Sequence, residues 1–279
     1  MKFGSSSIDK VMLGSSEVSA IYAGSTKIYP AVAAYSAPLY TTSGIQLYYN
    51  PEDPESYSGS GATINDLSGN DHHGTLYNSP VYNSNAFTYN GTNTYLITPD
   101  MVSAFNSTSH FTIEIWYNPT WTQPNQGGTV ISELGTAVPN SPSWHYAVIE
   151  HERAPFGALA YDYAGIWSTS NTIVPVNPFS TASGWRQITL TYDGTNGRSY
   201  TNYSNTGVSP KTAAVTRKVP WNSSLGYFLA MGAGDSTQQS GAGANYFKGD
   251  IGIVRVYNRA LSGTEIKYNY DNTKSVYGL

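Results

Sequence analysis

The sequence predicts an all-β protein: a two-sheet antiparallel sandwich or jelly roll, with a small N-terminal β-meander and one short C-terminal helix. Three observations carry this. Short runs of alternating apolar and polar residues recur along the chain, as strands with one buried face require. Gly, Asn, Asp and Ser punctuate those runs at close intervals. Only "SGTEIKYNYDN", near the end, reads as helix, with Ser262 and Glu265 at capping-box spacing.

Composition agrees with this class and narrows the function. The 279 residues are 11% charged, where about 25% is usual. Aromatics reach 14%, with 24 Tyr, and apolar residues 39%, enough for a large core. The surface is then mostly hydroxyl, amide and tyrosine, which suits a particle or extracellular setting. A net charge of −4 with 14 Lys+Arg and no basic cluster disfavours nucleic acid, whose binding needs gathered positive charge. With no Cys there is neither a disulfide nor a thiolate metal site. No signal-peptide core and no bilayer-length apolar run is visible, so the expectation is cytoplasmic synthesis without membrane insertion.

Along the chain, "FGSSSIDKVMLGSSEVSAIYAGSTKIYP" comes first. Gly4-Ser5, Gly14-Ser15 and Gly24-Ser25 recur ten residues apart, and each pair is followed by a β-branched residue, Ile8, Val18 or Ile28. The β-prone pieces Val11–Leu13, Val18–Ala23 and Lys27–Tyr29 read as three small strands, too small to be stable alone. Residues 1–30 are either a flexible leader or a docking and oligomerisation element that adds edge to edge onto another protein. The docking reading places contacts at Ile8, Val11, Leu13, Val18, Ile21, Tyr22, Ile28 and Tyr29. Residues 31–43, "AVAAYSAPLYTTS", hold no period and read as a linker.

From residue 44 to 279 the text is strand and turn. "FTYNGTNTYLIT" reads as a hairpin about Asn90-Gly91. In "HFTIEIWYNP", Phe111, Ile113, Ile115 and Tyr117 share one face and Thr112, Glu114 and Trp116 the other. Ile188, Leu190 and Tyr192 alternate inward in "WRQITLTYDGTNG". "GDIGIVRVYNRAL" is apolar on both faces, as in a strand covered on both sides. Trp116 and Trp185 are assigned to the core.

The chemistry-bearing residues are sparse. His72 and His73 in "SGNDHHG" read as polar loop residues, and no nucleophile elbow or phosphate-cradling loop occurs. The stretch "SPSWHYAVIEHERAPFGALAYDYAGIWS" gathers aromatics on which sugars could stack: Trp144, Tyr161, Tyr163 and Trp167 are the candidate carbohydrate-binding residues. The same rings could equally be core.

Five segments in order, "NDLSGNDHHGTL", "FTYNGTNTYL", "HFTIEIWYNP", "GWRQITLTYDGTN" and "GDIGIVRVYNRALSGTEI", resemble the laminin-G-like (LamG) jelly rolls of the concanavalin A-like lectin/glucanase superfamily. The Gly-Ser decapeptides resemble short N-terminal repeats of tailed-bacteriophage structural proteins. Together these resemblances imply a virion structural protein, a capsid decoration or tail fibre or appendage subunit. It would display a lectin-like domain to host-surface glycans, bind other capsid or tail proteins and form a homo-oligomer. The glucanases of this superfamily imply the alternative of a polysaccharide depolymerase, and a free lectin is the third reading. Glucanase chemistry resembles a Glu-x-Asp-x-x-Glu strand. Here the nearest match, Glu150 and Glu152, has His151 between, so the expectation is no enzyme. Glu114, Glu150 and Glu152 read as solvent-facing strand positions. No cofactor is expected. LamG relatives imply calcium as an option, with Asp66, Asp71, Asp162 and Asp235 as oxygen donors.

Overall fold

A computed structural model describes residues 2–3, 6–7, 12–13, 16–17, 21–23, 26–29, 39–105, 110–120, 128–134, 145–153, 161–167, 173–179, 184–203, 211–216, 226–234 and 246–279. The chain divides into two units, Met1–Leu39 and Tyr40–Leu279.

In the first unit β1 (Lys2–Phe3) pairs with β2 (Ser6–Ser7), β3 (Met12–Leu13) with β4 (Ser16–Glu17), and β5 (Ile21–Ala23) with β6 (Thr26–Tyr29). These are three separate two-stranded hairpins, not the expected meander. The register explains the difference. Phe3 faces Ser6, Leu13 faces Ser16 and Ala23 faces Thr26, so only a Gly-Ser pair separates each set of partners. A two-residue loop led by Gly closes a hairpin on itself. Of the expected contact residues, Leu13, Ile21, Tyr22, Ile28 and Tyr29 are strand positions, while Ile8, Val11 and Val18 lie outside the described residues.

The second unit holds, in chain order, β7 (Ile45–Tyr49), β8 (Thr63–Ile64), β9 (Gly74–Tyr77), β10 (Val81–Tyr82), β11 (Phe87–Asn90), β12 (Tyr95–Ile97), helix α1 (Val102–Phe105), β13 (Phe111–Pro119), β14 (Thr129–Leu134), β15 (His145–Arg153), β16 (Tyr161–Trp167), β17 (Ile173–Phe179), β18 (Arg186–Tyr192), β19 (Asn196–Thr201), β20 (Lys211–Ala214), β21 (Phe228–Met231), β22 (Lys248–Tyr257) and α2 (Gly263–Asp271). They form two antiparallel eight-stranded sheets. Sheet one runs β10-β11-β22-β13-β18-β19-β20, with β7 beside the C-terminal half of β22; sheet two runs β17-β16-β15-β14-β21-β12-β9-β8. The fold is the predicted antiparallel sandwich. β22 is flanked on both edges and buried on both faces, as its two-sided apolar text requires.

The alternation of β13 works as read, on both faces. Phe111, Ile113, Ile115 and Tyr117 enter the core between the sheets with Ile188, Leu190 and Tyr192. On the other face Trp116 is fully buried beneath α2 and the single 3-10 turn Lys274–Tyr277. It stacks on Tyr270 and Tyr277 with centroids at 5.5 and 4.5 Å, and its Nε1 donates to Thr273 Oγ1 at 3.2 Å. Trp185 is only partly buried and leans on Tyr277.

Glu114, expected in solvent, is 1% exposed. The face it occupies is capped by α2, and its Oε2 accepts from Asn269 Nδ2 at 2.8 Å and faces Arg255 Nη1 at 3.5 Å. Burial outweighs both partners and pushes its carboxyl up to about 7. α2 begins with the capping box anticipated from Ser262 and Glu265. Glu265 is also gripped by both Nη atoms of Arg259, whose Nε donates to the Ser43 carbonyl at 2.9 Å. This explains the "NRALSGTE" text: it ties strand end, helix start and domain entry together. Within residues 31–43, Tyr40 and Thr41 pack on the second unit: the Tyr40 ring lies 4.5 Å from that of Tyr48, and Thr41 N–H donates to Asn269 Oδ1 at 2.7 Å.

The expected Asn90-Gly91 hairpin does not form. β11 pairs within sheet one and β12 within sheet two, so the connection is an arch between layers. Asn90 Oδ1 accepts the N–H groups of Thr92, Asn93 and Thr94, and Gly91 takes φ 74°. Those local bonds occupy donors that a hairpin ladder would use. Phe87 and Leu96 can then enter the same core from opposite sheets.

Candidate functional site

The sandwich has two outer faces, and they differ. That of sheet one is sealed: Trp116, Ile253 and Tyr257 lie under Leu261, Ile266, Tyr270 and Tyr277. On sheet two, Leu76, Leu96, Leu229 and Met231 point into the core, so their strand neighbours Tyr77, Tyr95, Ile97, Phe228 and Ala230 occupy the outer face. Ile97, Leu134 and Ala230 form a cluster apart from the main core, with Tyr95 and Phe228 packed against it. The exposed end of the face is Tyr77, 39% accessible. None of these side chains is charged.

β16 carries Ala164 and Ile166 into the core, and Tyr161, Tyr163 and Trp167 are strand positions of the opposite phase. Trp144 lies outside the described residues. Glu150 and Glu152 are strand positions of β15, with Glu150 in register with Tyr163 and Thr129. Sequence reading missed Tyr77, Tyr95 and Tyr246, which lie far apart in the chain; only the sheet register reveals them as neighbours.

The loop residues considered for metal serve the fold. Asp66 accepts backbone N–H groups from Tyr48, Ser68 and His72 and the Ser68 hydroxyl. His72 Nδ1 donates to the Gln46 carbonyl at 2.7 Å, and His73 Nδ1 accepts from Asp66 N–H at 3.0 Å. The pair fastens the loop to β7. Asp71 is exposed; Asp235 and the Asp162 side chain lie outside the described residues. Among the described residues no group of three His, Asp or Glu could hold a metal ion, and no helix is long and apolar enough to cross a membrane.

The Laminin_G_3 family model, of the concanavalin A-like lectin/glucanases superfamily, matches residues 90–267. The chain belongs to this family. No curated protein matches it. Among solved structures, the LamG-like chain is similar to domain 4 of AbnA, a GH43 extracellular arabinanase from Geobacillus stearothermophilus, in complex with arabinotriose. There the identity is 16% and the TM-score 0.56, covering 82% of this chain and 97% of that one. It is also similar to Trypanosoma rangeli sialidase in complex with sialic acid (14% identity, TM-score 0.56, covering 87% of this chain and 35% of that one). A third likeness is to the binding domain of botulinum neurotoxin DC in complex with SialylT (14%, 0.55, 82% and 52%). At these identities the likeness is one of fold, and the chain spans only part of the latter two.

Proposed function

We propose that the LamG-like domain binds glycans without cleaving them, using the outer face of sheet two. The observation that carries this is the contrast between faces: sheet one is sealed by α2, whereas on sheet two the buried Ile97, Leu134 and Ala230 give way to the partly exposed Tyr95 and Phe228 and the exposed Tyr77, all uncharged. Sugar rings stack their C–H faces on such side chains. The ligands held in structures of the fold's neighbours, arabinotriose and sialic acid, are consistent with the same use. The buried Glu114 offers no carboxylate to a substrate.

The finer reading is that the domain is displayed on the virion of a tailed bacteriophage, as a capsid decoration or tail fibre or appendage subunit. The three N-terminal hairpins, each a two-stranded sheet with an edge to offer, would attach it to other virion proteins or to copies of itself. A glycan array probed with the full chain tests the first part, with selective saccharide binding expected; binding to no saccharide would overturn it. Antibody labelling of purified particles tests the second. Labelled heads or tails are expected, and unlabelled intact particles would overturn it.

A further inference from the structure

Tyr77 is the open end of a row of three tyrosines. Tyr77 and Tyr95 are register partners on β9 and β12, with ring centroids 4.7 Å apart and planes within 10°. Tyr246 continues the row beyond Tyr95, at 6.3 Å and 27°. Among the described residues the row stops at Tyr77, and one face of that ring has no aromatic neighbour there. What lies beside it follows from the ladder. Thr63 faces Thr75 and Ile64 faces Gly74, so continuing the register sets Gly61 opposite Tyr77; Leu76 N–H donating to the Ala62 carbonyl at 2.7 Å keeps that register. Gly61 takes φ +98°, and a Cβ there would meet nothing within 4 Å. The segment before β8 therefore supplies no side chain at that point, and the space beside Gly61 is open.

Polar groups surround this space without filling it. Among the described residues no hydrogen bond reaches the hydroxyls of Tyr77, Tyr95 and Tyr246, and burial raises the phenols of Tyr95 and Tyr246. Asn78, whose Nδ2 donates to the Asn93 carbonyl at 2.7 Å, closes the end of the same two strands, and Thr63 and Thr75 lie exposed on the flank. No Lys, Arg, Asp or Glu stands among these residues. An aromatic face beside open space, with hydroxyls and amides near it and no charge, suits a neutral pyranose and offers no cation to pair with a carboxylate.

We propose that the free face of Tyr77, with Gly61 as the gap beside it, Thr75 on the same strand and Asn78 just past its end, is a stacking subsite for a neutral, non-sialylated sugar residue. The subsite rests on the glycan-binding reading above and specifies which sugars that face selects and where.

The test is an array of neutral and sialylated glycans probed with the full chain and its Tyr77→Ala, Tyr77→Leu and Tyr77→Phe variants, with melting followed in parallel. Wild type is expected to bind neutral glycans. Tyr77→Ala should lose about tenfold, equivalent to about 1.4 kcal/mol. Tyr77→Leu, which restores apolar bulk without a flat ring, should lose as much at an unchanged melting temperature. Tyr77→Phe should retain most of the binding. If wild type binds and Tyr77→Leu binds equally well, the subsite is wrong while the glycan-binding reading stands. Tyr77-dependent selection of sialylated glycans would overturn the neutral assignment. Binding of no glycan by wild type overturns both.

Discussion

Glu114 and Arg255 face each other across β13 and β22, both closed to solvent, with Oε2 and Nη1 3.5 Å apart. Among the described residues Glu114 Oε1 and the Nε and Nη2 of Arg255 have no hydrogen-bond partner, so the pair is desolvated but incompletely compensated. The consequence is a pH dependence. An unfolded glutamate titrates near 4.3, while folded Glu114 titrates at about 7. Between those values the folded state holds the extra proton, so its stability is full below the lower value and falls as pH rises towards the upper one. Glu265 and Asp193 are held down to about 2, by Arg259 and by the Asn196 N–H, so from pH 5 upwards both are largely ionised in both states. Urea unfolding at pH 5 and pH 8 should show lower stability at pH 8, by on the order of 3 kcal/mol. Glu114→Gln should flatten that difference. A difference unaltered by Glu114→Gln would place the titration elsewhere.

The same cluster fixes where the LamG-like domain begins. Thr41 N–H satisfies the otherwise buried Asn269 Oδ1, and the Tyr40 ring covers Arg255 at 5.4 Å. A protein starting at Tyr40 and one starting at Gly44 should both fold. The shorter one leaves a buried acceptor unpaired and should be less stable by about 1–3 kcal/mol. Equal melting temperatures would show that the entry segment contributes nothing.

Trp116 sets how firmly the C-terminal segment is held. Its ring lies on Tyr270 and Tyr277, and the Tyr277 hydroxyl in turn accepts the Ile253 N–H at 2.8 Å, tying the C-terminal segment to β22. Trp116→Ala should cost about 3–5 kcal/mol and should raise hydrogen exchange first in α2. Exchange rising uniformly instead would mean that α2 and the sheets open as one unit.

What the sequence made legible was whatever depends on local period. The strands around Ile113 and Leu190, the two-sided β22 and the capping box of Ser262 needed only alternation and spacing. The misreadings share a cause. Glu114 looked solvent-facing because nothing in "FTIEIW" tells that a helix some 150 residues later covers that face. "YNGTN" looked like a hairpin because Asn-Gly states that the chain turns, not whether its partners lie in the same sheet. The tyrosine row is invisible for the same reason: Tyr77, Tyr95 and Tyr246 become neighbours only through the β9–β12 register and the approach of the segment before β22.

For catalysis the expectation is negative. Glu114 is shut beneath α2, and Glu133 is buried with Tyr227 donating to it at 2.7 Å, so neither can attack a glycosidic bond. Purified protein should release no reducing sugar from neutral or host polysaccharides. Release that disappears in Glu150→Gln or Glu152→Gln would make the domain a depolymerase.

The N-terminal hairpins carry the last prediction. Each pairs only two or three residues per strand, and the hydrogen bonds so gained cannot offset about 1–2 kcal/mol of backbone ordering per residue. A hairpin of this size is marginal alone, yet three in tandem with the same Gly-Ser tip repeat one edge at ten-residue intervals. Strand addition onto a partner sheet would satisfy those edges and supply the missing burial. Protein beginning at Tyr40 should therefore fold and retain glycan binding but fail to enter particles when supplied during phage growth, whereas the full chain enters. The measurement is the ratio of this protein to major capsid protein in purified particles. Incorporation of the shortened protein at full occupancy would reduce the repeats to a leader, and loss of glycan binding on the same deletion would assign them to the sugar site instead.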